Sequence, residues 1–516
     1  MTASLASAPF VPESPLIRPM DEHNRELLSN VHPPDWTNPD PARRYNLVVI
    51  GAGAGGLVTS LGAAGLGAKV ALVEKYLLGG DCLNVGCVPS KSLLRCGRAY
   101  ADVRDAGDFG VRVPAGVEVD FPAVMERMRR LRTRISPNDG VKRLRDAGVD
   151  VFLGEGRFVG PDAIEVAGKT LRFSRAVIAA GARASAPPVP GLNEAGYLTN
   201  ETVFWLTELP RRLAVIGAGP IGCELSQAFA RLGSEVHLLE AEHQILGRED
   251  RDASEIVQRS LLRDGIHVGC QCKIVRVHRD GAEKILQLER GSDHMELRVD
   301  EILVGVGRKP NVERLGLEQA QVSFDARSGI VVNDRLQTSN RKIYAVGDIC
   351  SQYKFTHMAD AMARIALQNA LFFGRAKVSA LTIPWCTYTD PEIAHVGMYE
   401  KDARDRGLEV DTIRLELSEL DRALLDGEEE GFLKVHVKKG TDRILGATLV
   451  SRHAGEMISE LTLAMVGGLG LKTLSRTIHS YPTQAEIMRR AGDAYNRTRL
   501  TPFVKGLFHR LMSWRR

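Results

Sequence analysis

The chain has 516 residues, 44% hydrophobic and 26% charged, which at about 150 residues per domain predicts three to four domains. These ordinary globular values exclude disorder throughout, a collagen-like fibre and a small disulfide-stapled scaffold. With 68 basic and 64 acidic side chains the net charge is only +4, so there is no strong electrostatic case for nucleic acid as a partner.

Residues 1–44 form a Pro-rich leader, with eight prolines between Pro9 and Pro41 and little periodicity. An extended segment is expected, disordered or draped over a partner surface. The first 20 residues lack a basic start followed by an apolar core, so no signal peptide is expected and the expected compartment is the cytoplasm. Residues 47–68 carry no charge but include seven glycines. Their pattern is a short apolar strand, a Gly loop and a small-residue helix, not a membrane span.

A repeat follows. Residues 47–74 (LVVIGAGAGGLVTSLGAAGLGAKVALVE) and 213–240 (LAVIGAGPIGCELSQAFARLGSEVHLLE) share 14 of 28 positions at an offset of 166. Each copy reads strand, Gly loop, helix, strand, acid. The fingerprint G-x-G-x-x-G occurs as Gly51, Gly53, Gly56 and as Gly217, Gly219, Gly222. The first glycine permits the tight turn, the second lets backbone approach a pyrophosphate, and the third lets helix and strand pack closely. The helix N-terminus then faces the phosphate with unpaired N–H groups. Glu74 and Glu240 each lie 18 residues past the last glycine, where a carboxylate accepts from ribose hydroxyls. The chain is therefore expected to hold two dinucleotides. Glu240 would repel a 2′-phosphate, which favours NADH over NADPH, with Arg248 nearby to blunt that preference.

Between the two units stands Gly79-Gly80-Asp81-Cys82-Leu83-Asn84-Val85-Gly86-Cys87-Val88-Pro89-Ser90-Lys91. Two thiols five apart at the start of a helix can close a small disulfide, and the helix N-terminus lowers the pKa of a Cys placed there. A dithiol beside one nucleotide site, with a second nucleotide site available, suggests an electron relay. The six other cysteines are scattered and form no framework. Cys270-Gln271-Cys272 reads as part of a strand-like stretch, and no metal ligands are assigned.

This run resembles the active-site motif of the flavin-dependent pyridine nucleotide–disulfide oxidoreductases, a family that includes dihydrolipoamide dehydrogenase, glutathione reductase and mercuric reductase. The resemblance covers residues 45–495. Ala179-Ala180-Gly181 resembles the strand leaving the first flavin segment, and Gly305-Val306-Gly307-Arg308-Lys309-Pro310-Asn311 the return from the nicotinamide domain. Ala345-Val346-Gly347-Asp348 resembles the second flavin motif, and Thr389-Asp390-Pro391-Glu392 the opening of the C-terminal domain.

The resemblance implies an α/β fold of two Rossmann-like nucleotide-binding domains, for FAD and NAD(P)H, and a C-terminal α+β dimerisation domain. The divisions expected are 45–190 and 316–383 for FAD, 191–315 for NAD(P)H, 384–496 for the interface and 497–516 for a basic tail. It implies FAD on the first Gly loop, with Gly181, Gly347 and Asp348, and the nicotinamide nucleotide on the second, with Gly307. It further implies that Cys87 is the flavin-side thiolate, Cys82 the interchange thiol, and Lys91 a cation near the flavin paired with Glu224. In a two-fold homodimer, Tyr481 and Glu486 would reach the partner's dithiol; the apolar stretch 461–471 suits such an interface.

One departure matters. In the disulfide reductases a His-Pro-Thr-x-x-Glu motif supplies the catalytic base, but here the residue before Pro482 is Tyr481, with His479 two positions early. Tyr, with a pKa near 10, is a poor base at pH 7, which handicaps a dithiol substrate. Tyr there resembles mercuric reductases, yet their C-terminal Cys pair is missing, since the last cysteine is Cys386. The expected acceptor is thus a small-molecule or protein disulfide or a thiol-bound metal ion. The alternatives are dihydrolipoamide dehydrogenase activity, or a quinone reductase or transhydrogenase that bypasses the thiols.

After Asp493 the chain has no acid but six Lys or Arg: Arg497, Arg499, Lys505, Arg510, Arg515 and Arg516. With Phe503, Leu507, Leu511 and Trp514 near helical spacing, this reads as a basic amphipathic helix, suited to peripheral membrane contact or to covering the protein's own surface.

Overall fold

A computed structural model describes residues 17–516. The first sheet has a parallel part in the order Val149–Leu153, Val70–Glu74, Tyr45–Ile50, Lys169–Ile178, with Ile343–Ala345 returning from far along the chain to pair with the last. Strands of this kind, covered on both faces, read as continuous apolar runs, and Leu47 to Val49 are fully buried. The early half of Lys169–Ile178 also carries an antiparallel extension, Ala163–Val166 and Arg157–Gly160.

The second sheet is parallel in the order His267–Gly269, Glu235–Leu239, Arg212–Ile216, Glu301–Val304. The repeat seen in the sequence is a repeat in space. Leu47 pairs with Val70 in the first sheet, and Leu213 with Val236 in the second, the same register at the same offset. A three-stranded antiparallel layer, residues 273–299, packs beside it. The third sheet is antiparallel, Pro384–Thr387, Glu392–Gly397, Ile444–Ser451, Phe432–Lys438, Val410–Glu416, and is covered by the helices Ala454–Val466 and Glu486–Thr498. The architecture is the expected α/β one.

The leader departs from expectation. Its first 16 residues lie outside the described residues, but residues 17–44 pack into the first domain, and Glu22–Val31 among them is a helix and not an extended segment. Asp21 caps the helix Glu22–Val31, its carboxylate accepting from the Asn24 N–H. Leu27 and Val31 on that helix are fully buried. Beyond it, the Asn38 side chain accepts from the Leu153 N–H at 2.7 Å and donates to the Leu153 carbonyl at 2.9 Å. Val149–Leu153 is the outermost strand of the first sheet, so the leader satisfies backbone groups that an open edge would expose. The prolines obscured a short amphipathic helix between them.

The tail helix Pro502–Trp514 has no buried residue, so it does not cover the protein's own surface. Among the described residues no helix is long and apolar enough to cross a membrane.

Candidate active site

The two glycine loops are built alike. Gly51 and Gly217 have φ of +98° and +96°, the left-handed region that disfavours any side chain. A Cβ on Gly56 would overlap the carbonyl oxygen of Gly51, and one on Gly222 that of Gly217. The third glycine is thus required by the helix folding back on the loop, as its role predicts. Glu74 accepts from the N–H of Ala52 at 2.6 Å and of Tyr76 at 2.8 Å. Glu240 accepts from Ala218 at 2.7 Å and Glu242 at 3.0 Å, the equivalent residues. Burial pushes the Glu74 pKa up despite the backbone bonds.

These loops suit dinucleotides. The helices Ala54–Gly65 and Pro220–Arg231 begin at Gly53 and Gly219, neither with a side-chain cap, which leaves first-turn N–H groups for a phosphate. A side chain at Gly219, Gly181 or Gly307 would meet open space. Asp348 is largely buried, and desolvation raises its pKa although Arg308 lies 3.3 Å away. Arg308 also bonds to Asp81 of the dithiol segment and to the Ala182 carbonyl. It thereby ties the second flavin motif to the dithiol segment. The sequence reading assigned Arg308 no such role.

The dithiol sits against the first loop. A Cβ on Gly80 would come 2.6 Å from the Gly53 Cα, so the loop and the dithiol segment meet backbone to backbone. Cys82 lies in the short helix Gly80–Asn84, and Cys87 is the first residue of the helix Cys87–Arg104. Hydrogen bonding to Cys82 brings the Cys87 pKa down to about 6, against the opposing effect of burial and with help from Thr356 and Lys91. The bond to Cys87 and burial push Cys82 far up. The two shifts run in opposite directions, which favours the charge of the reduced pair on Cys87 and the proton on Cys82. Thr356 opens the helix Thr356–Leu371, and its hydroxyl lies 3.6 Å from the Cys87 sulfur. Thr356 too was missed in sequence, because it is 269 residues away.

Lys91 and Glu224 come together as expected, Nζ to Oε2 at 2.7 Å. The dithiol helix packs on Pro220–Arg231, and Gly97 permits the approach, since a Cβ there would lie 3.3 Å from the Arg231 Cβ. Glu224 also accepts from the Tyr388 N–H at 2.9 Å, and the Lys91 ammonium lies 4.5 Å from the centre of the Tyr388 ring. Burial opposes the Lys91 charge, but Glu224 and the Cys87 thiolate outweigh it and raise its pKa.

Tyr481 and Glu486 make no bond to the dithiol within one chain. The Tyr481 hydroxyl donates to Asp421 at 2.7 Å, which raises its pKa, and the ring is 69% exposed. Glu486 is buried and pairs with Arg489 and Arg490. His479 is held by Glu460 at 3.0 Å. Ile478, Leu463 and Val466 stand 95%, 68% and 67% exposed on the same domain.

The sequence profile of pyridine nucleotide-disulphide oxidoreductases matches residues 45–363, and that of their dimerisation domain matches residues 383–491. A mercuric reductase of Staphylococcus aureus is 34% identical over 453 residues, 88% of this chain and 83% of that protein. A dihydrolipoyl dehydrogenase of Thermus scotoductus is 36% identical over 473 residues, 88% of this chain and 98% of that protein. The HOCl-induced flavoprotein disulfide reductase RclA from Escherichia coli superposes with a TM-score of 0.78 at 28% identity, covering 87% of this chain and 99% of that one. With both glycine loops, the dithiol and the third domain in place, the chain belongs to the pyridine nucleotide–disulphide oxidoreductases, flavoproteins that use FAD and NAD(P)H.

Proposed function

We propose that the protein passes electrons from NADH to the Cys82–Cys87 disulfide and from there to a low-molecular-weight or protein disulfide, or to a thiol-bound metal ion. The observation that carries this reading is the placement of the pair: its segment meets the first glycine loop backbone to backbone at Gly80 and Gly53, and the Lys91–Glu224 ion pair stands one helical turn beyond Cys87. Bound FAD would supply the relay, taking a hydride from the nicotinamide and delivering two electrons to the disulfide. The balance closes on this chain's own groups. One hydride and one disulfide give the Cys82 thiol and the Cys87 thiolate, with no further proton needed. Lys91, held by Glu224, offers a positive charge beside both the thiolate and the flavin site. Cys82 then attacks an acceptor disulfide as its proton passes to the first departing thiolate, and Cys87 displaces the second thiolate from the mixed disulfide, which closes the Cys82–Cys87 bond again.

Several residues shape the choice of partners. Glu240, which accepts from the Ala218 and Glu242 N–H groups at the end of its strand, would repel a 2′-phosphate, which supports NADH over NADPH. Tyr481, hydrogen-bonded to Asp421, holds its proton at neutral pH, which disfavours a dithiol such as dihydrolipoamide as substrate. Tyr481 and Glu486 act on the dithiol of the other subunit in a homodimer formed through the exposed face around Leu463, Val466 and Ile478.

The test is an anaerobic titration with NADH, followed by alkylation and mass spectrometry. After one equivalent, Cys82 and Cys87 should become alkylated together. Reduction of the flavin with the pair still closed would overturn the relay.

The tail favours a second reading, in which electrons leave for a quinone at a membrane surface. On a helical projection Phe503, Val504, Leu507, Phe508, Leu511, Met512 and Trp514 fill one half of Pro502–Trp514. Phe503 and Trp514 are 81% and 83% exposed. A basic helix with such a face lies at an anionic interface. Under this reading the protein is cytoplasmic and peripheral. Quinone turnover retained in Cys82→Ser would support it, and loss of that turnover would exclude it.

A further inference from the structure

Outside the redox centre, three potential ligands meet at the edge of the second sheet. Glu235 and His237 are two residues apart on the strand Glu235–Leu239, so their side chains share one face. His267 opens the edge strand His267–Gly269, and the parallel register sets it directly against His237. The two imidazoles stack, with centroids 4.5 Å apart and planes at 19°. Nε2 of His237 is 3.2 Å from a Glu235 carboxylate oxygen. One ligand atom from each residue lies within 4.8 Å of the other two. Glu235 and His267 are exposed and His237 half-buried. None of the three belongs to the dithiol segment, a glycine loop or the dimerisation domain.

We propose that Glu235, His237 and His267 form a binding site for a divalent transition-metal ion of the nickel–copper–zinc group, with solvent completing the coordination.

The donor set selects the metal. Two imidazole nitrogens and one carboxylate oxygen suit borderline ions and leave an open position for water. Calcium and magnesium prefer oxygen ligands throughout. Ligands at about 2.0–2.2 Å from a tetrahedral ion lie roughly 3.3 Å apart, so the three atoms must close in slightly. Rotations of the exposed Glu235 and His267 side chains towards the half-buried His237 supply that movement without moving the strands.

The site also has a structural consequence. The opposite end of the same strand pair presents Glu240, whose N–H donates to the Gly269 carbonyl at 2.8 Å. An ion at the near end would staple the edge strand to the strand that carries the ribose-binding acid. Anything that binds the folded state alone stabilises it.

The experiment is isothermal titration of the oxidised holoenzyme with Zn(II), paired with electron paramagnetic resonance of the Cu(II) form. One saturable equivalent is expected. The Cu(II) spectrum should show coupling to two nitrogens, which separates this site from any cysteine. His237→Asn combined with His267→Asn should weaken binding at least tenfold and remove the nitrogen coupling, while NADH turnover, which reports folding, stays unchanged. Glu235→Gln, a smaller change, should weaken binding less. No saturable binding by the wild type would overturn the proposal, as would a double variant that binds with undiminished affinity and an unchanged spectrum.

Discussion

The charge on Cys87 decides the chemistry at the scale of single residues. Its pKa of about 6 rests first on the bond from Cys82. In the reduced enzyme, alkylation of Cys87 should therefore rise with pH through about 6 and level off above it, since the thiolate is the nucleophile. The apparent value belongs to the coupled pair, so Cys82→Ala should move the midpoint upward by removing that bond. Cys82→Ser should cut turnover with disulfide acceptors at least about a hundredfold, the scale of losing one member of a catalytic unit. Tyr481 offers a gain-of-function test. A positioned general base contributes about 10²–10⁴-fold. Tyr481→His should therefore raise the rate of dihydrolipoamide oxidation towards that range, read as kcat/KM. No gain would show that residue 481 does not reach the dithiol.

Among the elements, the leader now has a physical task. Arg132 is almost wholly buried and donates to Asn24 of the leader helix and to the carbonyl of Asn84, the last residue of the short Cys82 helix, both at 2.7 Å. The leader therefore braces the dithiol from behind. Leu27→Ala on that helix removes a fully buried side chain and should cost about 2–5 kcal/mol. The measurement is the first thermal transition, followed by flavin release, which should shift down. The tail makes a contrasting prediction. A chain ending at Asn496 should fold and turn over as before, yet lose co-sedimentation with phosphatidylserine vesicles. Equal sedimentation of both chains would remove the membrane from the account.

At the scale of the whole molecule, the three domains meet around Asp390. Its carboxylate faces Arg231 at 2.9 Å, Arg98 at 3.6 Å and Arg452 at 3.7 Å. One arginine comes from the second nucleotide domain, one from the dithiol helix and one from the third domain. Burial opposes the charge, but the three arginines hold the Asp390 pKa down. Removing Asp390 would leave Arg98 without its carboxylate, while Arg231 keeps Asp264 and Arg452 keeps Asp102 and Glu428, so Asp390→Asn should cost about 1–3 kcal/mol, the scale of one unsatisfied buried group. The dimer is the other question at this scale. Leu463→Arg with Val466→Arg should produce monomers by light scattering. If Tyr481 and Glu486 act across subunits, turnover with disulfides should fall with the dimer while NADH still reduces the flavin.

The sequence by itself determined the two nucleotide-binding units, the dithiol and the family, because these are local. A turn that demands glycine, an acid at the end of a strand and two thiols five residues apart all fall within about thirty residues. The Lys91–Glu224 pair was legible only through the family resemblance, since 133 residues separate its members. Only the tertiary structure decided the rest. Arg308 and Thr356 reach the dithiol from 227 and 269 residues away. The leader proved to be part of a domain because its buried face is visible only against the sheet it seals. Glu235, His237 and His267 came together for the same reason. Two of them look like ordinary surface residues until the parallel register sets His267 beside them, and strand pairing across thirty residues leaves no local signature.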